Sequence, residues 1–118
     1  SPILFLFFEY LGSDYLQTQT VRIKAGGSTY QYRAKDFAQT SYGTIKLDGK
    51  TRAIERGIRV ASRNDVKVLS AMLADAKTTI QFVGKDKTVD YVLSNEDRLY
   101  AYDLMNQASA DVLHKVLV

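Results

Sequence analysis

The stretch AKTTIQFVGKDKTVDYVLSNED, residues 76–97, contains the clearest local signals in the chain. Apolar and polar residues alternate in TTIQFVG, and they alternate again in TVDYVL after a charged turn, as in an antiparallel hairpin. The following SNED places a hydroxyl three residues before an acid, which is the capping-box pattern of a helix start. We therefore expect two paired strands and the beginning of a helix, around which the rest of the chain packs.

A second capping box, Ser62-Arg63-Asn64-Asp65, precedes a predicted helix over Arg63–Ala76. The segment before it, TRAIERGIRV at 51–60, fits two patterns. As a helix it would align its three arginines with Arg63 on one side, and as a strand it would alternate around its isoleucines. Gly57 and the β-branched residues at its end favour the strand.

The residues before this segment have the signals of four further strands. Two glycines in Ala25-Gly26-Gly27-Ser28 permit the positive φ of a hairpin turn, and Asp48-Gly49 is a strong two-residue hairpin signal. Lys35–Gly43 has no clean period and is predicted to be a loop. The predicted strands are Ile3–Tyr10, which we expect to be buried on both faces, Tyr15–Lys24, Thr29–Ala34 and Thr44–Leu47.

The resulting order, β-β-β-β-β-α-β-β-α, predicts a single α+β domain over residues 1–118. Its expected architecture is a mainly antiparallel sheet with two helices packed on one face. The second helix follows Ser94 and ends in the apolar tail Leu113–Val118. Such a tail is expected to dock on the domain or to contact another subunit, because frayed termini are usually polar.

The composition excludes several classes of site. The chain has no cysteine and one histidine, His114, so thiol catalysis, disulfides and a His-rich or Cys-ligated metal site are excluded. No segment reaches the roughly 18 apolar residues of a membrane-spanning helix, so no membrane span is expected. No catalytic residue, cofactor site or metal site is predicted, and an enzyme is not expected.

Positive charge is concentrated in the middle of the chain. Residues 22–67 contain 11 Lys/Arg against 4 Asp/Glu, within a net charge of +3 for the whole protein. Such a segment is typical of a polyanion-binding or nucleic-acid-binding surface, or simply of solvated strands. Alternation turns Tyr30 and Tyr32 away from Arg33, which argues against a basic-aromatic platform. The candidate polyanion-binding residues are Arg22, Lys24, Arg33, Lys35, Arg52, Arg56, Arg59 and Arg63.

The pattern Lys77-x-x-Ile80-x-Phe82-x-Gly84, followed by Asp90-x-x-Leu93-Ser94-x-x-Asp97, resembles small uncharacterised bacterial exported proteins, many of them lipoprotein-like. The resemblance covers roughly residues 54–105. It implies an extracytoplasmic α+β module of the periplasm or cell surface, and it carries over no functional residues. The chain differs from the usual pattern because it has no lipobox cysteine.

The expected function is therefore that of a non-catalytic binding or structural module. Its expected partner is another protein or a second copy of the chain. The alternative hypothesis is that segment 22–67 binds a polyanion or nucleic acid.

Overall fold

The structure is a computed structural model that describes residues 5–96. Within that range the chain forms seven strands, one short 3-10 helix and one α-helix. Along the chain they are β1 (Phe5–Gly12), β2 (Thr20–Ala25), β3 (Ser28–Arg33), the 3-10 helix (Ala34–Asp36), β4 (Gln39–Leu47), β5 (Lys50–Val60), α1 (Arg63–Ala74), β6 (Thr79–Val83) and β7 (Thr88–Val92).

The strands form two antiparallel sheets. Sheet A has the order β1-β5-β4, and sheet B has the order β3-β2-β6-β7. The α+β class and the antiparallel pairing are confirmed, but the prediction of one sheet is wrong. The chain crosses from sheet A to sheet B after β1 and returns after β3, so β1 pairs with β5 instead of with its neighbour in sequence. Alternation within a strand reports which residues share a face, and it does not report the pairing partner.

The described residues contain one α-helix instead of the predicted two. Helix α1 begins at the predicted capping box, in which Ser62 and Asp65 bond to each other's backbone, and it ends two residues earlier than expected. The second predicted helix is described only at its first residues, Asn95 and Glu96, which are helical. The rest of that helix, His114 and the tail Leu113–Val118 fall outside the described residues. The segment at 51–60 lies within β5, which confirms the strand interpretation over the helical one.

The core lies between the facing sides of the two sheets and α1. Ile23 at its centre is fully buried, and Phe8 of sheet A contacts Tyr32 of sheet B with ring centroids 5.4 Å apart. The other buried members are Leu6, Leu16, Val21, Ala25, Val68, Met72, Ile80 and Phe82. The central hairpin therefore contributes β6 to the core, as its alternation predicted.

Three boundaries differ from the predictions. The strand expected over Tyr15–Lys24 begins only at Thr20, and the residues before it form a connecting segment between the sheets. The expected loop Lys35–Gly43 contains the 3-10 helix and the first half of β4. The first strand continues two residues past its predicted end, to Gly12, and it is not covered on both faces along its whole length, since Glu9 is exposed.

Both short turns form as predicted. Gly26 and Gly27 have φ values of 60° and 78°, and the Asp48-Gly49 turn has φ values of 51° and 75°. Two consecutive positive φ angles are typical of a type I′ turn, whose twist matches that of the strands it joins. The β4–β5 hairpin therefore has a defined register, in which Leu47 pairs with Lys50 next to the turn.

Candidate binding cleft between the sheets

The segment of residues 13–19, which we call the strap, connects sheet A to sheet B. It is held to sheet A by Glu55 of β5, whose side chain is only 6% exposed. One carboxylate oxygen, Oε2, accepts a short hydrogen bond from the Leu16 N–H and another from the Gln17 N–H at 3.1 Å. Oε1 accepts from the Thr18 N–H at 2.7 Å.

The backbone of the strap is shaped for this contact. Gln17 has a φ of 57°, a left-handed conformation that is uncommon for a residue other than glycine. Alternation of right- and left-handed residues turns successive N–H groups toward one point and forms an anion-binding concavity. Here the anion is the Glu55 side chain itself.

The other side of the strap is bonded to sheet B. The Gln19 N–H donates to the Val83 carbonyl oxygen at 2.8 Å, and the Leu16 carbonyl oxygen accepts from the Lys85 N–H at 3.4 Å. A Cβ atom on Gly84 would collide with the Leu16 carbonyl oxygen and side chain. Gly84 is therefore required for the close approach of the strap to the central hairpin.

Beside the strap, the two sheets leave a cleft of about 70 Å³, which we call the inter-sheet cleft. Its walls combine aromatic rings with small hydroxyl-bearing side chains. It is lined by Phe8, Tyr10, Thr18, Gln19, Thr20, Val21, Tyr32, Ala34, Phe37, Thr40, Ser41, Tyr42, Glu55, Arg56, Gly57 and Phe82. Apolar walls with a few polar groups are characteristic of ligand-binding pockets.

Two features distinguish the polar lining of the cleft. The Thr18 hydroxyl oxygen is buried and has no hydrogen-bond partner in the part of the chain that the structure describes. Tyr42 is 58% exposed, and its ring packs edge-on against that of Tyr15, with the ring centroids 5.7 Å apart. The Tyr15 hydroxyl donates to the Gly43 carbonyl oxygen at 2.9 Å, and this bond fixes the tyrosine pair at the surface.

A buried polar cluster adjoins the cleft at Tyr32. The Tyr32 hydroxyl donates to Asp65 Oδ1 at 2.7 Å, and Arg59 Nε donates to Asp65 Oδ2 at 3.1 Å. Arg59 Nη1 also donates to the Asp36 carbonyl oxygen at 2.7 Å. The cluster thereby joins β3, β5, α1 and the 3-10 helix.

The cluster shifts the protonation of two of its members. Burial, together with the hydrogen bond to Asp65 and its negative charge, raises the pKa of Tyr32 well above its ordinary value. Burial alone would raise the pKa of Asp65 as well. Hydrogen bonds from Ser62 and Tyr32 and the positive charge of Arg59 outweigh it and hold the pKa of Asp65 below its ordinary value. Asp65 therefore remains ionised and Tyr32 remains neutral at physiological pH.

The predicted basic residues occupy several separate surfaces. From the strand register, Arg22, Lys24 and Arg33 share the outer face of sheet B, the side away from the core. Arg52 and Arg56 lie on the outer face of sheet A, where Arg56 Nε bonds Glu9 at 2.9 Å. The remaining three are Arg59 in the buried cluster, Lys35 in the 3-10 helix and Arg63 at the start of α1.

Of the eight basic residues, only Arg56 borders the inter-sheet cleft, next to Glu55 and Gly57, although its side chain bonds Glu9 on the outer face of sheet A. Thr18, Tyr42 and Glu55 were not among the residues predicted from the sequence. One signal for Glu55 was present, because alternation along β5 puts it on the same face as Ala53 and Gly57, where a charged residue needs a partner. Thr18 and Tyr42 lay in segments whose boundaries were predicted wrongly, and they carried no usable signal.

Comparison with known proteins gives no further information, since no family model, curated protein or solved structure matches this chain. Within residues 5–96, no helix is long and apolar enough to cross a membrane. The same residues contain no group of three or more His, Cys, Asp or Glu side chains arranged to hold a metal ion.

Proposed function

We propose that the protein is a non-catalytic binding module and that the inter-sheet cleft accepts one apolar or aromatic side chain of a protein partner. The observation that carries this proposal is the cleft lining, which combines aromatic rings with Thr18, whose hydroxyl has no hydrogen-bond partner among the described residues. The exposed tyrosine pair, Tyr15 and Tyr42, extends the same surface to solvent. Aromatic residues of this kind are enriched at protein interfaces.

The size of the cleft favours a side chain over a free small molecule. Small-molecule sites usually measure about 300–1,000 Å³, whereas this cleft measures about 70 Å³. A single side chain inserted from a larger partner fills such a space, while the partner's backbone remains outside. Anchors of this type are common at the centres of protein interfaces.

The Thr18 hydroxyl supports a bound group that carries its own hydrogen-bonding atom. Buried polar atoms are almost always bonded, so an exception needs an explanation. A hydroxyl on the inserted side chain would satisfy Thr18 once the Thr18 side chain rotates toward the cleft, and it would then be preferred over a purely apolar group. Tyrosine combines a ring with such a hydroxyl.

The neighbouring ionisable groups support binding over catalysis. Glu55 accepts three backbone N–H bonds, and Asp65 is bonded by Ser62, Tyr32 and Arg59. A general acid or base must be able to exchange a proton with a substrate. Both carboxylates instead have their acceptor sites occupied by structural bonds.

The experiment is a titration of the ¹⁵N-labelled protein with amino-acid amides, followed by amide chemical shifts. N-acetyl-tyrosinamide, N-acetyl-phenylalaninamide and N-acetyl-aspartamide are the probes. We expect the two aromatic amides to bind with a Kd on the order of 1–10 mM, given the small contact area of one side chain. The expected shifts lie in residues 18–20, 40–42 and 55–57, and the aspartamide shifts none of them.

Thr18→Val tests the role of the hydroxyl, with Thr29→Val on the outer face of sheet B as the matched control. Loss of one hydrogen bond of about 0.5–1.5 kcal/mol weakens binding of the tyrosinamide roughly 2- to 10-fold. Thr18→Val should leave binding of the phenylalaninamide unchanged. Thr29→Val should leave binding of both aromatic amides unchanged. Absence of saturable shifts with both aromatic amides, or shifts centred outside the cleft, contradicts the proposal.

A second candidate function is polyanion binding, and it is favoured by the outer face of sheet B. Arg22, Lys24 and Arg33 share that face, and the strand register gives Asp90 as the only acid on it within the described strands. The register also provides Gln31 beside Arg22 as a hydrogen-bond donor for phosphate or sulfate oxygens. A flat basic sheet face can follow an extended anionic chain.

The test of this candidate is retention on immobilised heparin as a function of salt. Replacement of Arg22, Lys24 and Arg33 by glutamine should abolish retention, because each removed phosphate or sulfate contact reduces the salt dependence. The matched control replaces Lys46, Lys50 and Lys85 by glutamine and removes the same charge elsewhere. Elution of the native protein near physiological salt, or equal loss of retention in both triple variants, rules this candidate out.

The proposal includes an extracytoplasmic setting, which is supported by the resemblance of segment 54–105 to bacterial exported proteins. An absence of cysteine is compatible with that setting and does not require it. Cell fractionation of the full gene product tests this part separately. Recovery in the periplasmic or surface fraction is expected, and recovery with the cytoplasmic proteins contradicts it.

A further inference from the structure

The outer edge of β4 is a long row of backbone groups that no strand within residues 5–96 covers. β4 spans nine residues, Gln39–Leu47, and forms an edge of sheet A. All its side chains are exposed except that Gly43 is half-buried. Edges of this length are usually shortened, bulged, covered or carry several charges, because they can pair with another strand. β4 contains no proline and only one charged residue, Lys46.

The register of the hairpin identifies which backbone groups point outward. In a two-residue type I′ hairpin the residues flanking the turn form a hydrogen-bonded pair, and the pairs alternate from there along the ladder. Leu47, Ile45 and Gly43 therefore bond to β5, as does Ser41. The N–H and C=O groups directed away from β5 belong to Thr40, Tyr42, Thr44 and Lys46.

The other end of the hairpin agrees with this alternation. The Ile58 carbonyl oxygen of β5 accepts from the Ala38 N–H at 2.9 Å, so Ile58 directs its backbone toward β4 as the pattern requires. Within residues 5–96, no other backbone group bonds the outward-directed groups of β4.

Gly43 is the midpoint of β4 and has no internal reason to be glycine. A Cβ atom built there would lie 3.5 Å from Ile54 Cγ2, an ordinary van der Waals contact, and its φ is not in the left-handed region. Glycine weakens a strand through conformational entropy and often marks a site where another backbone approaches closely. The edge thus has a small residue at the position where a symmetric partner strand would cross.

We infer that the β4 edge binds the β4 edge of a second copy of this chain, antiparallel, in the register that places Gly43 opposite Gly43. This register overlaps all nine residues of both strands and bonds all the outward-directed backbone groups. Thr40 then lies opposite Lys46 of the second copy, and Tyr42 lies opposite Thr44. The two three-stranded sheets become one six-stranded sheet with the order β1-β5-β4-β4-β5-β1.

The charges and apolar residues of the strand are compatible with self-pairing. The only charged residue, Lys46, faces Thr40 across the axis, so no like charges are directly opposed. The exposed Ile45 and Leu47 face Ser41 and Gln39 of the second copy. A two-fold axis at the centre makes one surface patch complementary to itself, which is the usual arrangement of soluble dimers. The inference does not depend on what the inter-sheet cleft binds.

The test is the variant Gly43→Cys in a chain that otherwise has no cysteine. In the proposed register the two Gly43 residues form a non-hydrogen-bonded pair with Cα atoms about 4.5 Å apart, which lies within the disulfide range. Air oxidation should give a covalent dimer, and the native protein should sediment at twice the 13.3 kDa of one chain.

The matched control is Ser41→Cys, which lies on the same strand and the same face and is more exposed than Gly43. Its two copies would be separated by four residues along the strand, roughly 14 Å, which is too far for a disulfide. It should form no covalent dimer and should run as a single chain in a denaturing gel without reductant. Equal cross-linking of both variants overturns the register. A native protein that stays monomeric over a full concentration series overturns the dimer, even if the β4 edge is found to bind some other strand.

A charge exchange provides a second readout that does not rely on oxidation. Gly43→Lys and Gly43→Glu each oppose two like charges at the axis, so each alone should sediment as a monomer. An equal mixture should restore the dimer, because Lys then faces Glu. Both variants introduce a side chain where the folded chain has room. Failure of the mixture to associate while the native protein is dimeric contradicts the Gly43-centred register.

Discussion

Replacement of Glu55 by glutamine tests how the strap is held to sheet A. The native carboxylate accepts three hydrogen bonds from the backbone of Leu16, Gln17 and Thr18, and it is almost completely buried. A glutamine side chain has the same shape but only one acceptor oxygen. Its NH₂ group must therefore face at least one backbone N–H, from which it cannot accept a hydrogen bond.

The cost follows from the hydrogen-bond geometry. One buried N–H without an acceptor costs about 1–3 kcal/mol, and the two bonds that remain lose their charge assistance, together roughly 1 kcal/mol. We expect Glu55→Gln to lower the free energy of unfolding by about 2–4 kcal/mol. For a domain of this size that corresponds to a decrease in Tm of roughly 10 °C.

The assay is urea denaturation followed by circular dichroism. The matched control is Glu9→Gln, the same chemical change in the neighbouring strand. Glu9 bonds Arg56 at 2.9 Å, but both side chains are substantially exposed, so the loss should be below about 1 kcal/mol. If the two variants lose the same free energy of unfolding, the three hydrogen bonds from Glu55 to the strap do not stabilise the fold.

Three further predictions concern other contacts. The raised pKa of Tyr32 stabilises only its neutral form, so the native protein should lose stability as pH rises above the ordinary tyrosine pKa, and Tyr32→Phe should remove this loss. Denaturation from pH 8 to 11 checks this, and an equal dependence of the unfolding free energy on pH in both proteins refutes it. Asp65→Asn should be less stable than the native protein, and this difference in unfolding free energy should shrink as pH falls below the ordinary carboxyl pKa, because the lowered pKa of Asp65 stabilises its ionised form. A difference that stays constant down to pH 3 is the contrary result. Gly84→Ala should destabilise by at least about 2 kcal/mol through collision with Leu16, whereas Gly43→Ala should stay within about 0.5 kcal/mol; thermal denaturation of the pair measures the difference, and equal Tm values would contradict it.

The sequence was sufficient for the local elements and insufficient for their arrangement. The Asp48-Gly49 turn, the Ser62 capping box and the central hairpin are specified by short-range chemistry, and each forms as expected. The division into two sheets depends on which strands pair over long separations, as when Phe8 of β1 pairs with Gly57 of β5. Alternating polarity is equally compatible with several such pairings.

The strap illustrates why the candidate site was harder to predict. Its polar residues alternate like a strand, but Leu16 is buried against Gly84, and the backbone turns at Gln17 to reach Glu55. Those constraints come from residues 37 or more positions away in the sequence. The basic residues had a local signal in composition, yet the fold distributes them over both outer faces, the buried cluster and two helices.

The most direct test of the central proposal, that the inter-sheet cleft is the binding site, is the measurement of intermolecular NOEs between N-acetyl-tyrosinamide and the labelled protein. We predict NOEs from the ring protons of the amide to the Thr18 methyl group and to the rings of Phe8 and Tyr42, which line the cleft. NOEs confined to exposed apolar residues elsewhere, such as Leu11 or Val92, would contradict the proposal.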